Sequence, residues 1–406
     1  MKIARVLPIS RPHILSKYIE VEKLKTFESF EKALEVVANL EIGYGQGAKK
    51  ALRGRGVECE DFYADIYWLQ KMWADENGLD FSDRDWTREI LYAQLATYKP
   101  DVVFFQGTEV IGGSKSWQDF RSSQPNIRVT VGHYGHTHSL SGLDHAFLGF
   151  PCLVTSALSK GLSASLLYHS FDKTVLNRLE KSRSVRDEVT FTGAVGYRIN
   201  SHFNRYEFLL ELTKRTPLKL WVDEYFDMFK VSALPKQLLL EPEIQRTFLE
   251  RAKEVLIHPS RVQHKIMLTF KKYFPDKEKE QFPIDRCREG VYGLEVHNLV
   301  RNSLATIQFH STAMRGEVGA HRLFHSPGAG GCLITDHGSN LLSLYEPDRE
   351  VVSYTSVDEC VEKVGFLLDN PKQAGEIAQA GQRRTLLDHT HDSRAPQIIA
   401  TIESLM

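Results

Sequence analysis

The sequence predicts an α/β protein made of two doubly wound domains that face each other across a cleft. Three observations carry this expectation. Short apolar runs alternate with helical patterns through the first half, as in a parallel sheet with helices on both faces. A second alternation starts at Val189-Thr-Phe-Thr-Gly-Ala-Val-Gly196, and 406 residues are enough to give each of two domains its own core.

Taken in order, the first sheet is expected to use strands at Ile3 to Leu7, Val57 to Tyr63, Val102 to Gln106, Ile127 to Gly132, Ala146 to Val154 and Ala164 to His169. Residues 10 to 40 and the polar helix around Asp75 to Tyr98 read as decorations on it. Gly43-Tyr-Gly-Gln-Gly47 opens the helical Ala48 to Arg53, so it is either a structural turn or a phosphate or acceptor contact; its spacing lacks the full dinucleotide fingerprint. The domain boundary is expected near Asp187, giving domains 1–187 and 188–394, with a terminal helix over 395–406. In the second domain Arg205 opens a helix and Leu218 to Val222 forms a strand. From Pro235 to Gln281 the composition turns charged and helical with interleaved signs, the mark of a solvated face. Ser356-Val-Asp-Glu359 is a capping box ahead of an apolar stripe, and Asn370-Pro371 suits the N-cap and first position of the next helix.

Composition narrows the function classes. A 42% hydrophobic, 25% charged chain is an ordinary globular protein. Its net charge of -1 gives no basic field for a polyanion, so nucleic acid and acidic membrane surfaces are poor partners. Five scattered cysteines, Cys59, Cys152, Cys287, Cys332 and Cys360, contain no C-x-x-C pair and suit a reducing compartment. No run of about 18 apolar residues occurs, and Met1-Lys-Ile-Ala-Arg-Val6 enters a strand pattern directly, so a cytoplasmic enzyme without an integral membrane segment is expected.

The most informative stretch is Arg322-Leu-Phe-His-Ser-Pro-Gly-Ala-Gly-Gly-Cys-Leu-Ile-Thr-Asp336. A helical pattern breaks at Gly328, Gly330 and Gly331 and runs into the short strand Cys332 to Thr335. Glycines let the main chain approach a ligand, and converging N–H groups bind anions, so the turn could hold a phosphate; a tight helix-to-strand connection fits the residues equally well. With Asn340 to Tyr354, Ile377 to Thr390 and Arg394, the segment from about Glu317 to Arg394 resembles the C-terminal domain of the CgeB-like (spore maturation type) glycosyltransferases. These are relatives of the group 1 glycosyltransferases of GT-B fold.

The resemblance implies two Rossmann-like domains. The second would hold a nucleotide-sugar donor and the first a glycan, protein or small-molecule hydroxyl acceptor, with no cofactor and no metal needed for donor binding. The last helix, Ala395 to Ser404, would cross back to the first domain. In the group 1 relatives two glutamates eight positions apart hold the donor; here the first matches Glu317 and the second falls on His325. A carboxylate accepts from two ribose hydroxyls at once, whereas a neutral imidazole offers one acceptor and one donor. Arg322 and Arg205 are candidate diphosphate clamps, because guanidinium forks match phosphate oxygens. Asp336 and Asn340 are placed to bind sugar or ribose hydroxyls, or to cap the following helix.

In the first domain, His133-Tyr-Gly-His-Thr-His138 leaves a strand end. It lacks the spacing and carboxylates of a metal site, so His133 or His136 is expected to take the acceptor proton near neutral pH, with Glu109 as the rival base. Group 1 ancestry points to retention at the anomeric centre, whereas an acceptor-side histidine fits inversion. Two other readings stand beside transfer: a nucleotide-sugar-binding scaffold weakened by His325, and a two-domain sugar-nucleotide epimerase.

Overall fold

The computed structural model describes residues 1–8, 14–15, 18–19, 27–43, 45–106, 114–134, 140, 142–180, 186–195, 203–222 and 282–406. The charged stretch from Pro235 to Gln281, and with it Gly196, Glu109 and His136, lies outside the described residues.

Two six-stranded parallel sheets organise the chain. The first joins β1 (Lys2–Leu7), β2 (Glu58–Tyr63), β3 (Val102–Phe105), β4 (Val129–Tyr134), β5 (His145–Leu148) and β6 (Ala164–Leu166) in the order β2-β1-β3-β4-β5-β6. The second joins β7 (Arg186–Thr192), β8 (Lys219–Trp221), β9 (Cys287–Arg288), β10 (Ser303–Gln308), β11 (Leu333–Asp336) and β12 (Val352–Tyr354) in the order β12-β11-β10-β7-β8-β9. Strand order reverses between β1 and β3 and again between β7 and β10. Beyond the carboxyl ends of the strands at such a reversal, open α/β sheets form a crevice. β3, β4 and β10 are buried along their whole length, as strands covered on both faces must be.

The structure differs from the expected elements in two places. The run Ala146 to Val154 is two elements: β5 stops at Leu148 and a helix spans Pro151–Leu158 with Pro151 in its first turn. A continuous apolar run cannot by itself tell strand from helix, and proline's fixed φ starts the helix here. The supposed decoration at Asp75 to Tyr98 covers the sheet instead. Ile90, Leu91 and Leu95 in helix Trp86–Tyr98 are fully buried, and the leucines pack with Val6, Val103 and Phe105.

Half of the capping box forms: Ser356 Oγ accepts from the N–H of Glu359, while the Glu359 carboxylate accepts from the N–H and hydroxyl of Thr355. Asn370, however, donates back to the Phe366 carbonyl at 2.8 Å and does not cap the helix that Pro371 begins. The terminal helix His391–Glu403 packs Ala395, Ile398 and Ile402 against Ile3, Val102 and Phe147 of the first sheet. The chain end thus fastens the two halves together by apolar burial.

A buried ion pair joins β1 to the edge strand β2 of the first sheet. Arg5 Nη1 lies 2.9 Å from Asp61 Oδ1, with side chains 1% and 2% exposed. Burial pushes the Asp61 carboxyl up in spite of the attraction of Arg5. Such a pair costs desolvation to form, yet losing one member strands the other. Asp61→Ala is expected to cost about 3–5 kcal/mol of stability in urea denaturation. Joint replacement of Arg5 and Asp61 by apolar residues of similar volume should recover most of that loss.

Candidate functional site

A cavity of about 500 Å³ opens between the two sheets. The first half contributes Glu41, Gly43, Gly45 and Asp172; the second contributes His297, Ala320, His321, Arg322, His325 and Ser326. A smaller space of about 60 Å³ lies deeper, among Arg5, His133, His169, His321, His325, His391 and Arg394.

The second half presents the start of helix His321–Gly328 to the cavity. Ala320 at the N-cap makes no side-chain cap hydrogen bond among the described residues, and Ala320, His321 and Arg322 all line the cavity, so the positive end of the helix is turned toward it. Arg322 sits in the first turn. Among the described residues it has neither a hydrogen bond nor an ion pair; its guanidinium carbon lies 5.9 Å from the centre of the Phe191 ring. Burial and the charge of Arg205 pull its pKa down to about 10, the mark of a cation that wants a counter-ion.

Space for that guanidinium depends on Gly193 at the end of β7. Gly193 has φ +118, and a Cβ there would fall 2.5 Å from Arg322 Nη2. Gly193→Ala is therefore expected to displace Arg322 and to weaken binding of any diphosphate at least several-fold, as read by calorimetry with UDP.

Arg205 is committed to the backbone. It donates to the Ala194 carbonyl at 3.1 Å and to the Phe309 carbonyl at 2.6 Å, bracing the loop after β7 against the end of β10. It acts on the cavity through its charge beside Arg322.

The glycine turn lies away from the cavity. The N–H groups of Ala329, Gly330 and Gly331 donate to His325, Pro327 and Ser326 carbonyls at 3.0, 2.8 and 2.9 Å. Gly328 packs on Phe171, Gly330 on Gln382, and Gly331 beside the Val300 carbonyl. The physical reason is position: the turn follows the C-terminus of its helix, where glycine closes off carbonyls, and free donors exist only at the opposite end.

Other residues singled out in the sequence are engaged by partners within the protein. Glu317 Oε2 accepts from the Cys152 N–H at 2.7 Å at the start of helix Pro151–Leu158. Asp336 is bound by His310, whose Nδ1 donates at 2.6 Å and whose backbone N–H donates at 3.1 Å. Asn340 accepts from the Val318 N–H at 2.8 Å and donates to the Val318 carbonyl and the Tyr168 hydroxyl at 2.7 and 3.0 Å. These partners leave Asp336 and Asn340 shaping the loop before helix His321–Gly328 rather than facing the cavity.

His325 does line the cavity. Its Nε2 donates to the Ser170 carbonyl at 3.2 Å across the cleft, which leaves Nδ1 as an acceptor, and burial pushes its pKa down to about 4. His133 lies in the deeper space, with Nε2 donating to the Leu167 carbonyl at 2.9 Å. Burial holds it at about 4, so the expected base of near-neutral pKa is not what this ring offers.

Several residues at the site were not singled out in the sequence. His169 stacks on His321 with ring centres 3.6 Å apart, and His391 Nδ1 meets Ser170 Oγ at 2.8 Å. Glu41 and Asp172 line the first-half wall. The glycine loop beginning two residues after Glu41 was the one available signal for that wall; Asp172 carries none.

Among the described residues, no group of three or more His, Cys, Asp or Glu side chains could hold a metal ion. No helix there is long and apolar enough to cross a membrane.

Residues 242–400 match a family described as glycosyl transferase-like. No curated protein matches the chain by sequence. Among solved structures, sucrose-phosphate synthase from Thermosynechococcus elongatus is similar at 10% identity and a TM-score of 0.53, over 100% of this chain and 99% of that one. HepE from Anabaena, in complex with UDP and glucose, gives 11% identity and a TM-score of 0.52 with both chains covered completely. AviGT4, a glycosyltransferase involved in avilamycin A biosynthesis, gives 14% and 0.50, over 100% of this chain and 98% of that one. At such identities the likeness shows the fold. The two sheets have the GT-B arrangement, and the second half of the chain carries a glycosyl transferase-like domain.

Proposed function

We propose that the protein is a nucleotide-sugar glycosyltransferase of CgeB-like type, acting in the cytoplasm on a hydroxyl acceptor and needing no bound metal. One observation carries the reading: Arg322 stands without a counter-ion among the described residues, in the first turn of helix His321–Gly328, on the wall of a cavity large enough for a nucleotide sugar. A leaving diphosphate supplies the missing negative charge, and both groups stabilise it as the glycosidic bond to it breaks. The glycosyl transferase-like match over residues 242–400 and the UDP complex of the similarly folded HepE support the same assignment.

In this reading His325 Nδ1 accepts from a ribose hydroxyl, in place of a carboxylate that would accept from two; the Nε2 bond to the Ser170 carbonyl supports it by leaving Nδ1 as an acceptor. Within this reading the donor lies against helix His321–Gly328 and the acceptor against the first-half wall.

The test is calorimetry with UDP, with and without EDTA, followed by product analysis with UDP-glucose. Micromolar binding that EDTA leaves unchanged, with UDP released and the glucose recovered on another molecule, is the expected result. A protein that binds no nucleoside diphosphate, or binds one only with added metal, contradicts it.

A further inference from the structure

The wall opposite Arg322 carries two carboxylates whose placement the donor site does not explain. The Glu41 side chain is only 4% exposed. Its Oε1 accepts from Arg178 Nη1 at 2.8 Å, and its Oε2 has no hydrogen-bond partner among the described residues. Glu41 holds the left-handed φ of +57, and Gly45 passes so close that a Cβ would strike the carboxylate.

Asp172 is 8% exposed. Its Oδ1 accepts from the N–H and hydroxyl of Thr174, both at 2.8 Å, whereas Oδ2 is buried without a partner. A Cβ on Gly47 would run into this carboxyl and the His391 ring.

Each carboxylate is thus fixed through one oxygen and unsatisfied at the other. Leaving a buried acceptor unpaired typically costs about 1–3 kcal/mol, so Asp172 Oδ2 calls for a ligand that donates, and Glu41 Oε2 offers a second acceptor on the same wall. Burial and the charge of Asp172 raise Glu41 to about 7, against Arg178 and Lys50, which lower it. The cavity also faces His297, His325 and His391, which burial keeps neutral, and Arg322 on the far wall. An anionic ligand would meet like charge at this wall. Hydroxyl groups fit it, and Ile14, Ile42 and Val175 offer apolar surface for the C–H face of a sugar ring.

We propose that Glu41 and Asp172 form the acceptor subsite, which takes a polyol with adjacent hydroxyls and in which Glu41 Oε2 receives the proton of the reacting hydroxyl. The assignment rests on the glycosyl-transfer reading above. The acceptor oxygen bonds to the anomeric carbon as the bond from that carbon to the diphosphate oxygen breaks. The electron pair leaves with the diphosphate toward Arg322, and Glu41 later releases its proton to solvent. A base whose pKa lies near the working pH suits this step.

The test uses the full chain, UDP as the donor-side probe and methyl glucosides with inositol as acceptor-side probes. Ligand-observed NMR on the UDP-loaded wild type is expected to show saturable binding of at least one polyol. Asp172→Asn and Glu41→Gln should weaken that binding about ten-fold or more while UDP affinity and the melting temperature stay unchanged. Glu41→Gln should also slow UDP release from UDP-glucose, in the presence of the bound polyol, by about 100-fold or more. Unchanged polyol binding and UDP release in both variants, or no polyol signal in a UDP-loaded wild type, overturns the subsite while leaving the donor assignment standing. Failure of the wild type to bind UDP overturns both.

Discussion

Arg322→Ala loses at least about ten-fold, and up to about 100-fold, in affinity for UDP, the range expected for one charge-assisted contact. The same variant keeps or raises its melting temperature. That pairing of outcomes follows from the environment of the guanidinium: burial and Arg205 already press its pKa down to about 10, and no described residue neutralises it. Removing an uncompensated charge relieves the free protein, and removing the one side-chain cation that the described residues place on that wall of the cavity disables the complex. Arg322→Lys keeps the charge but not the planar fork, so it should retain part of the affinity. Calorimetry and thermal melts on the same samples decide the matter. A variant that melts earlier and binds UDP as well as the wild type makes Arg322 a structural residue.

The second large effect is acid sensitivity of the closed cleft. His133, His169, His321, His325 and His391 crowd the deeper space, and burial drives all five below the ordinary histidine value of 6.5. Arg5, Arg322 and Arg394 add positive charge around them, and Asp172 acts in the opposite sense on His391. With folded values depressed, the unfolded chain binds more protons between about pH 6.5 and 4, so stability is full above 6.5 and falls as the pH drops through that window.

For His133 alone, a shift from 6.5 to about 4 spans about 2.5 units, or about 3 kcal/mol once the pH is below the folded value. The rings come from both halves, so their protonation places like charges across the cleft and drives the halves apart. Melting temperature should drop steeply below pH 6.5. His321→Phe, which keeps a ring against His169 without a titrating nitrogen, should flatten that drop. A wild-type melting temperature that stays constant from pH 7 to pH 5 rules the effect out.

Periodicity made most of the strands legible, because parallel strands covered on both faces read as short apolar runs whatever surrounds them. It failed at Ala146 to Val154, where one apolar run serves a strand and then a helix; at Trp86–Tyr98 it found the helix but not its burial, because the buried leucines are diluted by polar neighbours. The Ser356 cap was readable because its bond spans three residues.

At the site, Arg322 and His325 could be named in advance because they lie in one contiguous motif. Glu41 and Asp172 could not, since they are 131 residues apart, Glu41 between helices Phe30–Asn39 and Gly47–Arg53 and Asp172 after β6, and become a pair only when these connections meet in space. The glycines show the same boundary from the other side. Composition marked Gly328, Gly330 and Gly331 as a turn, but which end of a helix faces the cleft depends on how the sheet carries that helix, and here the turn is buried against Phe171 and Gln382. Local sequence therefore specified the two parallel sheets and named Arg322 and Arg205 as candidates, through short-range patterning of apolar residues and one motif. Tertiary packing specified which charges remain without partners and how far burial displaces the histidines and Glu41, because desolvation and charge pairing depend on neighbours far away along the chain.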